Sequence, residues 1–226
     1  MNQFIKIISD EETKLLEVLN KRHDSEGERL KRFLNMPDLS RTEGNPIKEV
    51  VERMIGSTPD FKDFDVVKVP EIVSASIAFD LFDFPPNHPV RSKSDTYFID
   101  EQHILRPHTT VMWYYYLTSE RVKDKMTKGE PIGVFSYGKV YRKDEIDKFH
   151  MNVFHQIDGL YLCPKKDKEI SLKDLQDIEV NMVKAVFGEH IKYRFHEETF
   201  PYTHPSTEVE IEKDGEWLEI LGSGVV

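Results

Sequence analysis

Along the chain, apolar residues recur every three or four positions in some stretches and alternate with polar ones in others, which separates helices from strands. Ser9 and Glu12 stand at capping-box spacing ahead of Leu15, Leu16 and Leu19, so residues 10 to 22 read as a helix. A second starts near Ser25 and Glu28, carries Leu30, Phe33 and Leu34, and stops before Pro37. The turn-rich run from Met36 to Asn45 marks a boundary, making residues 1–44 an N-terminal helical hairpin expected to pack on a main domain of residues 45–226. Asn45 caps the next helix, with Pro46 at its first position and Ile47, Val50, Val51, Met54 and Ile55 on one face. A strand from Phe64 to Val69 ends at Pro70, and Thr96 to Ile99 with Ile104 to Arg106 should form a hairpin around Asp100 and Glu101. Arg106 leads into a helix carrying Val111, Trp113 and Tyr114. Ile132 to Val134 enters a strand reaching Tyr141; alternation is lost from Arg142 to Asn152 and resumes from Val153 to Ile157. Two antiparallel strands joined by a long charged loop follow from this. Ser171 and Asp174 start a helix with Leu175, Ile178, Met182 and Val186 on one face, ended by Gly188. A strand from Ile191 to Phe195 precedes strands at 207–212 and 217–221, which turn at Asp214 and Gly215.

Composition narrows the picture. With 226 residues, 38% of them hydrophobic, the chain can bury a substantial core as one domain with a small appendage. No run approaches the ~18 apolar residues of a membrane span. The N-terminus has early acids and neither a signal-peptide core nor transit-peptide character, so a cytoplasmic location without membrane attachment is expected. The single Cys163 excludes an internal disulfide and a multi-cysteine zinc site. A net charge of −10 argues against broad nucleic-acid binding, which depends on Lys and Arg neutralising phosphates. The small basic clusters at Arg29 to Arg32, Arg121 to Lys128 and Lys165 to Lys168 read as solvated faces.

The stretch from Gly138 to Gly159, GKVYRKDEIDKFHMNVFHQIDG, carries the candidate chemistry. Its loop of about ten residues is longer than most hairpin connections, and such loops tend to carry function. Arg142 leaves the first strand, and His150, Phe154, Gln156 and Asp158 follow. An arginine fork suits phosphate, an aromatic face suits a nucleobase, and an amide with a carboxylate suits a small zwitterion.

This stretch resembles motif 2 of the class II aminoacyl-tRNA synthetases, in the version of the phenylalanyl-tRNA synthetase family. The spacing from Arg142 to His150 and the run Phe154, His155, Gln156 match that pattern, with Asp158 where the family has Glu. The run FDLFDFPPNHPVRSKSDTYFIDEQHILRPHTT, from Phe79 to Thr110, resembles a second family stretch, keeping among others His88, Arg91, Asp95, Arg106 and His108, with Thr110 in place of Ser. EETFPYTHPSTEVEI resembles a third, with Tyr202 at a position that is mostly Phe and His204 as in the single-chain, mitochondrial-type branch. The unit around Asn45 to Pro70 resembles motif 1, the dimer interface of most of the class.

The resemblance implies an α+β class II synthetase core, a mixed, mostly antiparallel sheet flanked by helices, covering residues 45–226. It implies ATP-dependent activation of phenylalanine and its attachment to tRNA(Phe). Arg142 would hold the ATP α-phosphate, Asp144 the adenine amino group and His150 the outer phosphates, with Phe154 stacked on adenine; Arg142 and His150 are the candidate catalytic residues. Gln156 and Asp158, helped by His108 and Thr110, would bind the amino acid's ammonium. Phe200 and Tyr202 would be the paired rings of the side-chain pocket, which, with no buried acceptor aimed at the para position, should prefer phenylalanine over tyrosine. Magnesium, brought with ATP, would be held by carboxylates such as Glu208 and Glu219. The family's motif 3, with a second phosphate-binding arginine, is not found before Val226, so an incomplete core with weak or no activity alone is expected, as are a homodimer or a second subunit and contact with tRNA through another part. The alternative is a truncated paralogue that binds an amino acid or adenylate without aminoacylating tRNA.

Overall fold

A computed structural model describes residues 3–226. In chain order the elements are β1 (Phe4–Lys6), α1 (Asp10–Asn20), α2 (Ser25–Asn35), α3 (Pro46–Ile55), β2 (Asp65–Lys68), β3 (Ile72–Ser74), α4 (Ala75–Phe79), β4 (His103–Leu105), α5 (Met112–Leu117), α6 (Glu120–Lys128), β5 (Ile132–Tyr141), β6 (Val153–Leu162), α7 (Leu172–Phe187), β7 (Tyr193–Glu198), β8 (Ser206–Lys213) and β9 (Glu216–Gly224). Strands are ordered β1-β2-β5-β6 in one sheet, β3-β4 in a second and β7-β8-β9 in a third. The first sheet is parallel across β1, β2 and β5 and antiparallel at β5-β6; the others are antiparallel. The fold is α+β. Among the described residues no helix is long and apolar enough to cross a membrane.

Local chemistry sets most boundaries. Asn45 Oδ1 accepts from Ile47 N with Pro46 at the first position of α3, Ser171 and Asp174 complete a reciprocal capping box on α7, and Asp214 and Gly215 both take positive φ in the β8–β9 turn. Elsewhere tertiary contacts decide. Phe4–Lys6, too short to display a period, pairs in parallel with β2. Thr96 to Ile99 is not a strand: Phe98 makes an isolated bridge to Ile104, and β4 pairs instead with β3, whose Ile72 and Val73 are fully buried. The strand expected to start at Ile191 begins at Tyr193. The buried face of α7 is rotated one position from the Ile178–Met182 line, so that Glu179 and Val183 go deepest. Burial pushes the Glu179 carboxyl up to about 7; the Ser223 hydroxyl opposes this shift, yet neither Glu179 oxygen nor Ser223 Oγ completes a hydrogen bond of good geometry.

A buried polar network joins the N-terminal helices to the sheet. Leu15, Leu19, Leu30 and Phe33 share an apolar cluster with Ile72, Tyr97, Leu105 and Tyr141. At its edge Lys139, 2% exposed, donates to the carbonyls of Leu34 (2.7 Å) and Met36 (2.8 Å) and ion-pairs with Glu71 at 3.2 Å. Glu71 also accepts from the Tyr141 hydroxyl. Glu12 does not return to its own cap as the spacing with Ser9 suggests; its Oε1 accepts from the backbone of Glu71 (2.6 Å) and Ile72 (3.0 Å). That choice satisfies two amides beside β3 that would otherwise need another partner. Arg106, 1% exposed, donates to Lys139 O (2.9 Å), Val69 O (3.1 Å) and Pro70 O (3.3 Å). Gly138, at φ +148°, makes room for it, since a Cβ there would lie 2.8 Å from Arg106 Nη2.

Lys139→Met removes one partner of a buried pair and orphans the α2 carbonyls, a change that in general costs ~3–5 kcal/mol. Denaturant unfolding should register that loss, with hydrogen exchange accelerating in α2 before β5 and β6. Unchanged stability would mean that the network does not hold the helices.

Candidate functional site

The β5–β6 hairpin sets the site's axis. Its register opposes Val140 to Phe154, Gly138 to Gln156 and Ser136 to Asp158. Phe154, Gln156 and Asp158 are therefore successive residues on one face of β6, about 13 Å from first to last at 3.3 Å per residue. Arg142, just past the end of β5, is half-buried; its Nε donates to Pro107 O at 2.9 Å and its guanidinium stands 5.2 Å from the centre of the Phe154 ring. Its other nitrogens make no hydrogen bond among the described residues, which leaves them free for an anion.

The loop is tied at both ends. Arg142 N donates to Asn152 O (3.1 Å), and Asn152 Nδ2 to Asp144 O (2.9 Å), so Asn152, absent from the expected set, holds the loop's base. At the tip Asp147 accepts from His150 N (2.7 Å) and faces His150 Nδ1 at 2.9 Å. The structure thus separates two expected partners. Arg142 and Asp144 line a cleft of about 350 Å³ with His108, Phe84 and His88, whereas His150 stands exposed on the loop tip and is not among the lining residues.

Beyond Arg106 the chain enters a 3-10 turn, Thr109–Val111, that runs into α5. Here Gln156 Oε1 accepts from Thr109 N (3.0 Å) and Oγ1 (3.3 Å), which fixes its amide orientation. His108 Nε2 donates to Ala78 O at 2.9 Å, since a carbonyl can only accept, so Nδ1 is left as a bare acceptor, buried and without a partner. Burial, helped by the charges of Arg142 and Arg106, holds the imidazole down to about 4, neutral at physiological pH. Burial likewise pushes the Asp158 carboxyl up to about 6, opposed by the hydroxyl of Thr110 and the amide of Gly159. Tyr202 is held above the usual phenol range by burial and the Asp158 charge, with Thr110 and Arg142 opposing. Thr110, Asp158 and Tyr202 therefore come together.

The ring pair differs from expectation. Phe200 packs on β9, where a Cβ at Gly222 would lie 2.7 Å from its ring. Tyr202 instead stands edge-on to Phe82 (5.0 Å) and Trp113 (5.7 Å), residues the sequence reading did not assign to the site. Trp113 lies three residues past Thr110, a helical spacing that could have suggested it. Glu208 and Glu219 sit on neighbouring strands β8 and β9, on either side of a bulge at Val209 and Glu210. Burial, then the carboxylates of Glu219, Glu198 and Glu210, raise the Glu208 pKa, with His196 opposing. Among the described residues no cluster of three or more His, Cys, Asp or Glu could hold a metal by itself. An ion that keeps water and phosphate oxygens needs only one or two carboxylates, and the mutual repulsion around Glu208 fits that role.

The profile of the family described as tRNA synthetases class II core domain (F) matches residues 33–226. The phenylalanine–tRNA ligase alpha subunit of Caldicellulosiruptor bescii is 34% identical over 175 residues, covering 72% of this chain and 48% of the relative. That of Mycoplasmoides gallisepticum is 33% identical over 206 residues, covering 85% and 58%. This chain thus spans about half the length of the curated relatives it matches. A solved pyrrolysyl-tRNA synthetase from Desulfitobacterium hafniense superposes with a TM-score of 0.52 at 18% identity, over 96% of this chain and 78% of that one, a likeness of fold.

Carboxyl-carbon NMR should find Asp158 titrating near 6. Thr110→Val, by removing the opposing hydroxyl, should move it higher. An Asp158 titration near 4 in the folded protein would contradict the burial assigned to this cleft.

Proposed function

The chain belongs to the class II tRNA synthetase core family, and from that premise we propose that it binds ATP and phenylalanine and joins them as phenylalanyl-adenylate, the aminoacyl group then passing to the terminal ribose of tRNA(Phe). The observation that carries this reading is the single face of β6, with Arg142 and Phe154 at one end, Asp158 at the other, and the fixed amide of Gln156 between them. That span suits an aminoacyl-adenylate lying along the strand. A carboxylate oxygen of phenylalanine attacks the α-phosphorus, and the bond to the pyrophosphate oxygen breaks. No protein nucleophile is required, so catalysis is positioning plus charge stabilisation.

Arg142 donates its free guanidinium nitrogens to the α-phosphate, where charge builds in the transition state. Asp144 accepts from the adenine amino group and Phe154 stacks on the ring. Asp158, ionised, faces the substrate ammonium, and neutral His108 accepts one of its hydrogens at Nδ1. Thr110 orients Asp158. His150, on the loop tip, meets the outer phosphates. Tyr202, with Phe82 and Trp113 edge-on to it, lines the pocket for the phenyl ring. Glu208 and Glu219 would hold magnesium, which when bound neutralises phosphate charge. The relatives are named alpha subunits, which supports a partner subunit or second copy, and tRNA contact is assigned to a part outside this chain. A cytoplasmic location goes with this role.

Two measurements test it. Calorimetric titration of ATP into Arg142→Ala should show a loss of ~1.5–3 kcal/mol, the usual worth of a hydrogen bond to a charged group; equal affinities would remove Arg142 from the site. Phenylalanine should bind about tenfold more weakly at pH 5 than at pH 7, because only the ionised fraction of Asp158, titrating near 6, is competent. Asp158→Asn should flatten that dependence, and a pH-independent wild type would remove Asp158 from ammonium binding.

A further inference from the structure

One buried hydroxyl beside the site has no partner. Ser136, in the middle of β5, is 0% exposed, and its Oγ is shut away from solvent without a hydrogen bond among the described residues. A buried polar atom of this kind is costly unless something completes it. The register decides what lies across from it. Ser136 opposes Asp158 in the β5–β6 ladder, so the two side chains leave the sheet on the same face. Directly opposed residues of an antiparallel pair have Cβ atoms about 4.5–5.5 Å apart, within reach of each other's polar atoms. The next pairs along that face close the space around them. Val134 and Leu160 pack with Val111 and Met112 in one apolar cluster, and Gln156, opposite Gly138, is tied to Thr109. Ser136 and Asp158 stand between these two anchors, where they meet the turn Thr109–Val111, and the Thr110 hydroxyl acts on Asp158 from it.

Resting on the reading of Asp158 as the group that faces the substrate ammonium, we infer that Ser136 is a positioning residue, its hydroxyl turning onto the ionised Asp158 carboxylate and holding that charge in place for the ammonium. A serine side chain has three staggered positions, so the bond takes one rotation about χ1 and no movement of the backbone. An ionised carboxylate accepts at about four lone-pair positions, and the Thr110 hydroxyl and the Gly159 amide leave capacity for both Ser136 and an ammonium. A hydrogen bond donated to the carboxylate favours its charged form and so works against the burial that disfavours it. The Ser136 oxygen acts on the substrate only through Asp158.

The experiment is a carboxyl-carbon NMR titration of Asp158 between pH 5 and 9 in the 226-residue chain and in Ser136→Ala, which removes the oxygen and adds nothing, with calorimetric titration of L-phenylalanine at pH 6 and pH 8. Within that range His108 stays neutral and Tyr202 stays protonated, so neither confuses the reading of Asp158. Asp158 should titrate about one pH unit higher in the variant, a tenfold gain in proton affinity. Since only the ionised form is competent, the variant should bind phenylalanine about fivefold more weakly than the wild type at pH 6 and nearly equally at pH 8. A merely structural defect would weaken binding by the same factor at both, and that result would overturn the positioning role. An unmoved Asp158 midpoint would overturn the inference whatever the ligand does, and would leave the amino-acid reading of the site intact. A moved midpoint in a chain that binds no phenylalanine at either pH would instead overturn that reading, and with it the part Ser136 plays in ammonium binding.

Discussion

The buried guanidinium of Arg106 is the constraint on which the rest of the arrangement depends. It donates to carbonyls just past the end of β2 and near the end of β5, while its own backbone is paired on both sides, its N–H donating to Glu71 O and its C=O accepting from Tyr141 N. A planar, rigid donor set of this kind can satisfy several carbonyls at fixed angles, which a lysine could not reproduce. Arg106 thus locks β2, β5 and the segment leading to α5 into one geometry, two residues before His108. Everything that faces the cleft from α5 inherits its position from that lock. Gly138 is the sequence's concession to it, because any side chain there would collide with the guanidinium.

Behind this lock the site separates charge along one strand. Arg142 ends β5 with nitrogens to spare, whereas Asp158 lies deep enough for burial to raise its pKa. His108 between them is kept neutral by the same burial and by two arginines. Arg142 and the neutral acceptor of His108 line the cleft, and Asp158 shares a face of β6 with the Phe154 ring that Arg142 meets, which the proposed reading takes as a complement to a zwitterion joined to a phosphate. On the proposed reading a charged imidazole would repel the ammonium assigned to Asp158, so the neutrality of His108 would serve recognition.

What the sequence disclosed was what is local. Helix caps at Ser9, Asn45 and Ser171, the Asp214-Gly215 turn and the pairing of β5 with β6 depend on neighbours in the chain and were readable from spacing. That Phe154, Gln156 and Asp158 share one face of β6 was readable from strand alternation, whereas the roles given to Arg142, Asp144, Gln156 and Asp158 come from the family resemblance. Hidden were features decided by partners distant in sequence. Glu12 leaves its own helix to satisfy the backbone at Glu71 and Ile72. β4 prefers the buried β3 to Thr96 to Ile99. Tyr202 finds Phe82 and Trp113, more than eighty residues away, and the ring facing it could not be chosen from periodicity. His150 was placed by motif spacing on an exposed loop tip, away from the cleft that holds Arg142.

The most direct test of the account is a crystal structure of the chain with a non-hydrolysable sulfamoyl analogue of phenylalanyl-adenylate. The account predicts the analogue lying along β6, its sulfamoyl oxygens on Arg142, its adenine over Phe154 and its ammonium on Asp158 beside His108 Nδ1. An analogue bound elsewhere, or bound with its ammonium away from Asp158, would contradict it.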